Sequence, residues 1–205
     1  MSLADQLLGL GSATLAESGA MACHPRIRAA WPGARLAAPA LTVRLAPGDN
    51  LAVHVAVARA QPGAALVVEA GAPADRGFWG EVLTTAAQAR QLAGLVIDGG
   101  VRDLQALEDH GFPVFCTLVA LRGATKSGGG SVGARVEVGG VEVSPGDWVV
   151  GDRDGVVVVP SGSLEKVADR GRQRAEKEAA MFRALRAGAT TLELLGLDAS
   201  RVEQA

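Results

Sequence analysis

Apolar positions follow two rhythms along the chain. The runs "ARLAAPALTVRL", "AALVVEAG", "LVID" and "PVFC" are short, nearly continuous and bounded by Gly or Pro, as strands buried on both faces are. Between them lie Ala-rich stretches with helical spacing. One is "DNLAVHVAVARA", with Asp49 as its cap and Pro62-Gly63 as its stop. Another is "FWGEVLTTAAQARQLAG", whose apolar stripe reads through Val82, Ala86, Ala89 and Ala93 and ends at Gly94. A shorter helix, "DLQALEDHG", precedes "PVFC". Strands and helices alternating in this order predict parallel pairing through right-handed crossovers.

The rhythm changes after Gly123. "ATKSGGGSVGA" reads as a mobile surface loop. "RVEVGGVEVSPGDWVVGDRDGVVVVP" alternates strands with tight turns at Gly139-Gly140, Pro145-Gly146 and Asp154-Gly155, which predicts an antiparallel meander. A long charged helix from about Leu164 to Ala187 follows, with Gly188 as its C′ residue, and then a short one, "TTLELLG". At the other end, "DQLLGLGSATLAESGA" predicts short helices, the second capped by Ser12. No internal repeat or linker divides the sequence, so residues 1–205 are expected to form one α/β domain.

Composition narrows the picture. Aromatic residues make up only 3% of the chain and Tyr is absent, so Ala and Val must supply most of a core drawn from 48% hydrophobic residues. A net charge of −2 indicates no nucleic-acid partner. No apolar run is long enough to span a bilayer, and "MSLADQLLGLGS" lacks the basic start of a secretion signal, so no membrane association and a cytoplasmic location are expected. The two cysteines, Cys23 and Cys116, make neither a disulfide framework nor a zinc cluster.

Candidate chemistry is sparse. "KSGGGSVG" carries its Lys and Ser before the glycines, whereas a P-loop needs them after, at a helix start. His24, His54 and His110 show no metal-ligand spacing, and His54 falls in an apolar helix as a core residue would. There is no G-x-S-x-G and no activated Cys. Asp152 and Asp154 of "GDRDG" read as a hairpin turn with two positive φ values rather than a metal cluster. The remaining feature is "GLVIDGGVRDLQAL", where Arg102 and Asp103 follow an apolar strand. Asp103 could cap the helix "LQALEDHG", although a capping box would want Glu or Gln at Ala106. The pair also stands at the carboxyl end of a parallel strand, where α/β sheets bind ligands. A guanidinium can grip a carboxylate, and a neighbouring Asp can hold a divalent cation that polarises a carbonyl. Any metal here would have carboxylate and water ligands, which favours Mg²⁺ or Mn²⁺.

Taken in order, "GFWGEVLTTAA", "GLVIDGGVRD", "GFPVFC", "VEVGGVEVSPGDWVVGDRDGVVVVP" and the "EKE" helix resemble the family that unites 4-hydroxy-4-methyl-2-oxoglutarate aldolases with regulators of ribonuclease E activity. The resemblance covers most of the chain. It implies a layered β/β/α fold of the swivelling-domain type and a homotrimer or homohexamer with sites at subunit interfaces. It implies that Gly80, Glu81, Val82 and Leu83 open a helix whose N–H groups face the substrate. Arg102 would bind the substrate's carboxylate and carbonyl oxygen, and Asp103 the divalent metal. Glu178 of a neighbouring subunit, in preference to Glu176, would act through the metal's water shell. The aldolase pattern has an acid where this chain has Ala106. The regulator branch lacks the metal-binding Asp, so Asp103 points to the enzyme branch. The function implied is a metal-dependent aldolase that cleaves a 4-hydroxy-2-oxo acid to pyruvate and a second 2-oxo acid, with oxaloacetate decarboxylation as a companion activity. The alternatives are a regulator docking on a ribonuclease or helicase, and an enzyme of the same fold acting on another 2-oxo acid.

Overall fold

The alternation along the apolar strands sorts their side chains to two faces of one sheet. The computed structural model describes residues 1–202. Its elements, in chain order, are α1 (Leu3–Glu17), β1 (Met21–Ala22), β2 (Arg28–Ala29), β3 (Leu36–Leu45), α2 (Leu51–Arg59), β4 (Ala65–Glu69), β5 (Gly77–Trp79), α3 (Glu81–Ala89), β6 (Gly94–Asp98), β7 (Gly100–Val101), α4 (Leu104–Asp109), β8 (Val114–Cys116), β9 (Leu118–Val119), β10 (Gly130–Val132), β11 (Val136–Val138), β12 (Val141–Val143), β13 (Trp148–Gly151), β14 (Val156–Val159), α5 (Leu164–Arg186) and α6 (Thr191–Leu195).

The main sheet has the order β1-β14-β13-β3-β4-β6-β8-β2, with β10 also on β3. Strands β3, β4, β6 and β8 are parallel, as expected from the strand–helix units. Leu66, Val68, Leu95 and Ile97 point to one face and pack on α2, α3 and α4. Ala65, Val67 and Val96 point to the other and pack on the β11–β12 hairpin. Further along the sheet, Val150, Val157 and Val159 pack on Leu7 and Leu15 of α1 and Val167 of α5. The result is the hairpin/sheet/helix layering of a mixed α/β fold with a long C-terminal helix.

Several local expectations change. The segment after Gly133 is not a continuous meander. β11 pairs only with β12, and β13 leaves that hairpin to pair antiparallel with β3 and β14. The turn at Asp154-Gly155 has a positive φ only at Gly155. "ATKSGGGSVGA" is held in place rather than loose, because Gly130–Val132 adds to β3 and Asp49 binds the loop's start. α1 runs across a kink at Gly11 (φ 80°). Ser12 is not its own cap, because both its N–H and its hydroxyl donate to Asp152, at 2.7 and 2.6 Å. On α3 the inward face is Leu83, Thr84 and Ala87, while Val82 is 78% exposed. The Thr84 hydroxyl turns inward because it accepts the Trp79 indole N–H at 2.7 Å.

A second, three-stranded parallel sheet, β5-β7-β9, lies beyond the carboxyl ends of β6 and β8. The chain steps from β6 to β7 through Gly99-Gly100. A Cβ on Gly99 would stand 2.6 Å from Ala70 Cβ, and one on Gly100 would collide with the Arg76 carbonyl. Bare backbone is what lets the two sheets join so closely, and the joint aims the next residues, Arg102 and Asp103, outward.

Candidate functional site

A cleft of about 140 Å³ opens at this joint, between the starts of α2 and α3 and the end of β7. Gly80, Val82 and Leu83 of α3's first turn line it with Arg102 and Asp103. The strand ends fix this wall, since Arg102 N–H donates to the Trp79 carbonyl at 2.9 Å. Behind them the Trp79 ring stacks on Phe112, with centroids 5.9 Å apart.

Asp103 adopts a left-handed conformation (φ 59°, ψ 39°), uncommon for a residue with a side chain although Asp enters it more readily than most. Its carboxylate does not cap α4. It turns back to α3, where Oδ2 accepts the Glu81 N–H at 3.0 Å. That choice follows from the αL backbone, which swings the side chain away from the helix it precedes. The Glu81 N–H is thereby engaged. Val82 and Leu83 keep N–H groups that a helix's first turn cannot satisfy internally, the first α-helical bond being Thr84 N–H to the Gly80 carbonyl at 3.0 Å. Such donors favour an anion.

Arg102 Nε lies 3.7 Å from Asp103 Oδ2, with both side chains 40–44% exposed. Among the described residues the Arg102 guanidinium donates no hydrogen bond, and Asp103 Oδ1 accepts none. A cation and a carboxylate oxygen are therefore held side by side with spare bonding capacity. Gly80 is required for this packing, since a Cβ there would clash with Asp103 Oδ2 and stand 3.1 Å from Arg102 Cγ.

The metal question turns on donors. Among the described residues no three His, Cys, Asp or Glu side chains form a ligand cluster, and Asp103 is the one acid lining the cleft. A single carboxylate with a free oxygen fits a hard cation that keeps waters and shares substrate oxygens, as Mg²⁺ does, and does not fit a zinc centre. Glu178 contributes nothing to this cleft within one chain. It sits on α5, which packs on α1, and pairs with Arg174 at 2.8 Å.

Three polar cleft residues, Asn50, His54 and Lys126, are not among those the sequence assigns to the site. His54 is not an enclosed core residue. It lines the cleft, with Nε2 buried and unpartnered. Burial and the nearby Lys126 hold its pKa below the ordinary value, which favours the neutral ring. Asn50 donates from Nδ2 to the Phe78 carbonyl at 2.8 Å, and its Oδ1 is buried without a partner. Lys126 reaches the cleft because Asp49 gathers its loop, accepting from Thr125 Oγ1, Ser127 N and Gly128 N at 2.8 Å each while also binding Leu51 N. Burial alone would raise the Asp49 pKa, but these donors outweigh it and hold the carboxylate at about 2. The sequence signal was the Lys126-Ser127 pair before the glycines, which fails as a P-loop yet still delivers a lysine to a site. Both Cys23 and Cys116 are buried and free, their thiols pushed up to about 12 and 11 by burial, which removes them as nucleophiles.

The chain is similar in sequence and fold to known proteins. Residues 3–158 match the family model described as RraA-like, Aldolase/RraA. A candidate 4-hydroxy-4-methyl-2-oxoglutarate aldolase of Halalkalibacterium halodurans is 37% identical over 147 residues, covering 72% of this chain and 70% of its own. The structure of an uncharacterised protein from Pseudomonas syringae superposes with a TM-score of 0.85 at 27% identity, covering 94% and 92% of the two chains. An unusual member of the RNase ES inhibitor RraA protein family from Streptomyces coelicolor superposes with a TM-score of 0.76 at 29% identity, covering 87% and 94%.

Proposed function

Because the chain belongs to the Aldolase/RraA family, we propose that it is a divalent-metal-dependent lyase that cleaves 4-hydroxy-4-methyl-2-oxoglutarate, or a close 4-hydroxy-2-oxo acid, to pyruvate and a second 2-oxo acid. The observation that carries this is the Arg102–Asp103 pair: a guanidinium with free donors and a carboxylate with a free oxygen, beside the open N–H groups of α3.

Each residue has a role that follows from its charge. The N–H groups of Val82 and Leu83 hold the substrate's 2-oxo carboxylate, with Gly80 and Glu81 forming the turn that presents them. Arg102 binds the carboxylate and the 2-oxo oxygen. When the C3–C4 bond breaks, its electron pair moves to that oxygen as an enolate, and Arg102 faces the developing charge in a preorganised position. The C4 hydroxyl gives its proton to water in the open cleft as C4 becomes the carbonyl of the departing 2-oxo acid, and a proton returned from water to C3 then gives pyruvate, so no net proton is consumed. Asp103 would hold Mg²⁺ or Mn²⁺, which when bound supplies Lewis-acid polarisation of the 2-oxo group. Oxaloacetate fits the same scheme, with CO₂ leaving from C4.

The assembly belongs to the proposal. Val82, Val119 and Leu121 are 78, 55 and 85% exposed. Exposed aliphatic side chains on the segments around the cleft support a homotrimer or homohexamer in which a neighbour covers its mouth. In that arrangement Glu178 of the adjoining subunit would reach the metal's water shell.

The test is pyruvate release by wild type, Arg102→Ala and Asp103→Ala. Losses of ~10²–10³ in kcat are expected for each. Wild-type protein that releases no pyruvate from either the hydroxy-oxo acid or oxaloacetate sinks the lyase reading. The likeness to the RNase ES inhibitor family supports one rival, a protein that docks on a ribonuclease or helicase. Retention of such a partner by Asp103→Ala in a pull-down, with no turnover in wild type, would favour it.

A further inference from the structure

Two strand ends of the main sheet carry the same device. Asp98 closes β6 and Glu69 closes β4, and the two stand in register. Asp98 accepts from Arg26 Nε at 3.2 Å and from Arg26 Nη2 at 2.6 Å, and its Oδ2 also accepts the Gly139 N–H at 2.8 Å. Glu69 accepts from Arg44 Nε and from the Glu137 N–H, each at 3.0 Å. Each carboxylate thus ties an arginine and one backbone N–H of the β11–β12 hairpin to its strand. Exposure is alike too, 48 and 50% for the arginines and 19 and 28% for the acids. What differs is where the strands lead. Residues 70–76 separate Glu69 from β5, whereas only Gly99, Gly100 and Val101 separate Asp98 from Arg102. Glycine backbone has wide conformational freedom, so anchors must set the course of this joint. The Gly99 carbonyl accepts the Thr117 N–H and hydroxyl at 3.2 and 3.1 Å, the Val101 carbonyl accepts the Ala120 N–H at 2.9 Å, and the Arg102 N–H donates to the Trp79 carbonyl at 2.9 Å. All of these hold the joint from its far side. Asp98 adds the anchor on the strand side, and makes it with a side chain.

We propose that Asp98 and Arg26 are positioning residues: their bidentate pair fixes the Gly99-Gly100 joint and, through it, the placement of Arg102 and Asp103. Neither lines the cleft, so neither touches substrate. Arg26 also cancels the charge of a carboxylate that stands four positions before Arg102. A catalytic group displaced by about 1 Å can cost ~10²-fold in rate, so a joint loosened by part of that distance should cost ~10-fold. The Glu69–Arg44 pair holds the same hairpin but leads into a long connection, so it is a matched control within the molecule. The effect on turnover rests on the lyase reading, the effect on the joint does not, and the experiment reads both.

The first measurement is amide exchange at Arg102 and Glu81, whose N–H groups donate to the Trp79 carbonyl and to Asp103 Oδ2. It needs no turnover. Arg26→Met should speed exchange at both by ~10-fold, the order of one charge-assisted hydrogen bond. Arg44→Met should leave both unchanged. Asp98→Asn keeps an acceptor for the Gly139 N–H, so it is the milder variant and should shift exchange in the same direction by less. The second measurement is pyruvate release with Mg²⁺ present, beside urea denaturation of the same preparations. Arg26→Met and Arg44→Met should lose similar stability, but only Arg26→Met should lose ~10-fold in kcat. Arg26→Lys keeps the charge without the fork and should recover part of that loss. Exchange at Arg102 unmoved by Arg26→Met and Asp98→Asn, or moved equally by Arg44→Met, overturns the proposal. Equal loss of kcat in Arg26→Met and Arg44→Met at matched stability overturns it as well. A wild type without turnover, in which exchange at Arg102 responds to Arg26→Met and not to Arg44→Met, would overturn the lyase reading and leave the clamp standing.

Discussion

Gly80→Ala adds one methyl group and removes no functional atom, so it isolates the geometry of the Arg102–Asp103 pair. Gly80 has φ −169° and ψ −165°, an extended backbone open to alanine, so the effect comes from crowding alone. The new Cβ would overlap Asp103 Oδ2, lie 3.3 Å from Asp103 Cγ and lie 3.1 Å from Arg102 Cγ. Relieving this requires the carboxylate to retreat by about 1 Å, and the Asp103–Glu81 hydrogen bond, now 3.0 Å, opens to about 4 Å and is lost. Both side chains are 40–44% exposed and can move into solvent. The stability cost should therefore stay near one exposed hydrogen bond, about 1 kcal/mol. Activity should fall much further, since displacing a catalytic group by 1 Å can cost ~10²-fold. Pyruvate release gives kcat/KM, and urea denaturation gives stability on the same preparation. Wild-type kcat/KM in Gly80→Ala would refute the claim that Asp103's position matters. A loss of activity matched by loss of the fold would refute the claim that the effect is local.

Other consequences are open to test. Asp49→Asn should loosen residues 125–128, lower stability by ~1–3 kcal/mol, and speed amide exchange at Ser127 and Gly128. Unchanged exchange there would show that Asp49 does not hold the loop. The wild-type Asp49 pKa lies at about 2, below the ordinary 3.8. Its contribution is therefore complete above the ordinary value and lost as pH falls toward 2. The low-pH limb of the stability profile should be shallower in Asp49→Asn. Asp152→Ala removes the cap on the second half of α1 and should cost ~1–2 kcal/mol in urea denaturation while leaving pyruvate release intact. A lost activity would mean that the α1 end of the sheet reaches the site.

The sequence made the parallel core legible because "ALVV" and "GLVI" are short apolar runs with Gly or Pro nearby and helices between them. It also placed Arg102 and Asp103 at a strand's carboxyl end. It could not show that β13 abandons the β11–β12 hairpin for β3, since a strand's partner across the sheet leaves no local mark. Nor could it show β5-β7-β9, whose strands of two or three residues are too short for any period. The inward face of α3 leaves little trace in the sequence, because alanines and threonines carry little polarity contrast and Thr84 is turned in by one bond to Trp79. Asp103 as a cap for α4 was a reasonable local inference that its αL backbone reverses. Lys126 and His54 reached the site through Asp49's loop contacts and α2's placement, both products of tertiary structure.

The central claim is that pyruvate forms at Arg102–Asp103 with the help of a divalent cation held by Asp103. Its most direct test is pyruvate release from 4-hydroxy-4-methyl-2-oxoglutarate by EDTA-stripped protein, before and after Mg²⁺ or Mn²⁺ is restored. Loss of turnover on stripping, with recovery on readdition in wild type but not in Asp103→Ala, is the predicted result. Turnover that survives stripping, or recovery in Asp103→Ala equal to wild type, would contradict it.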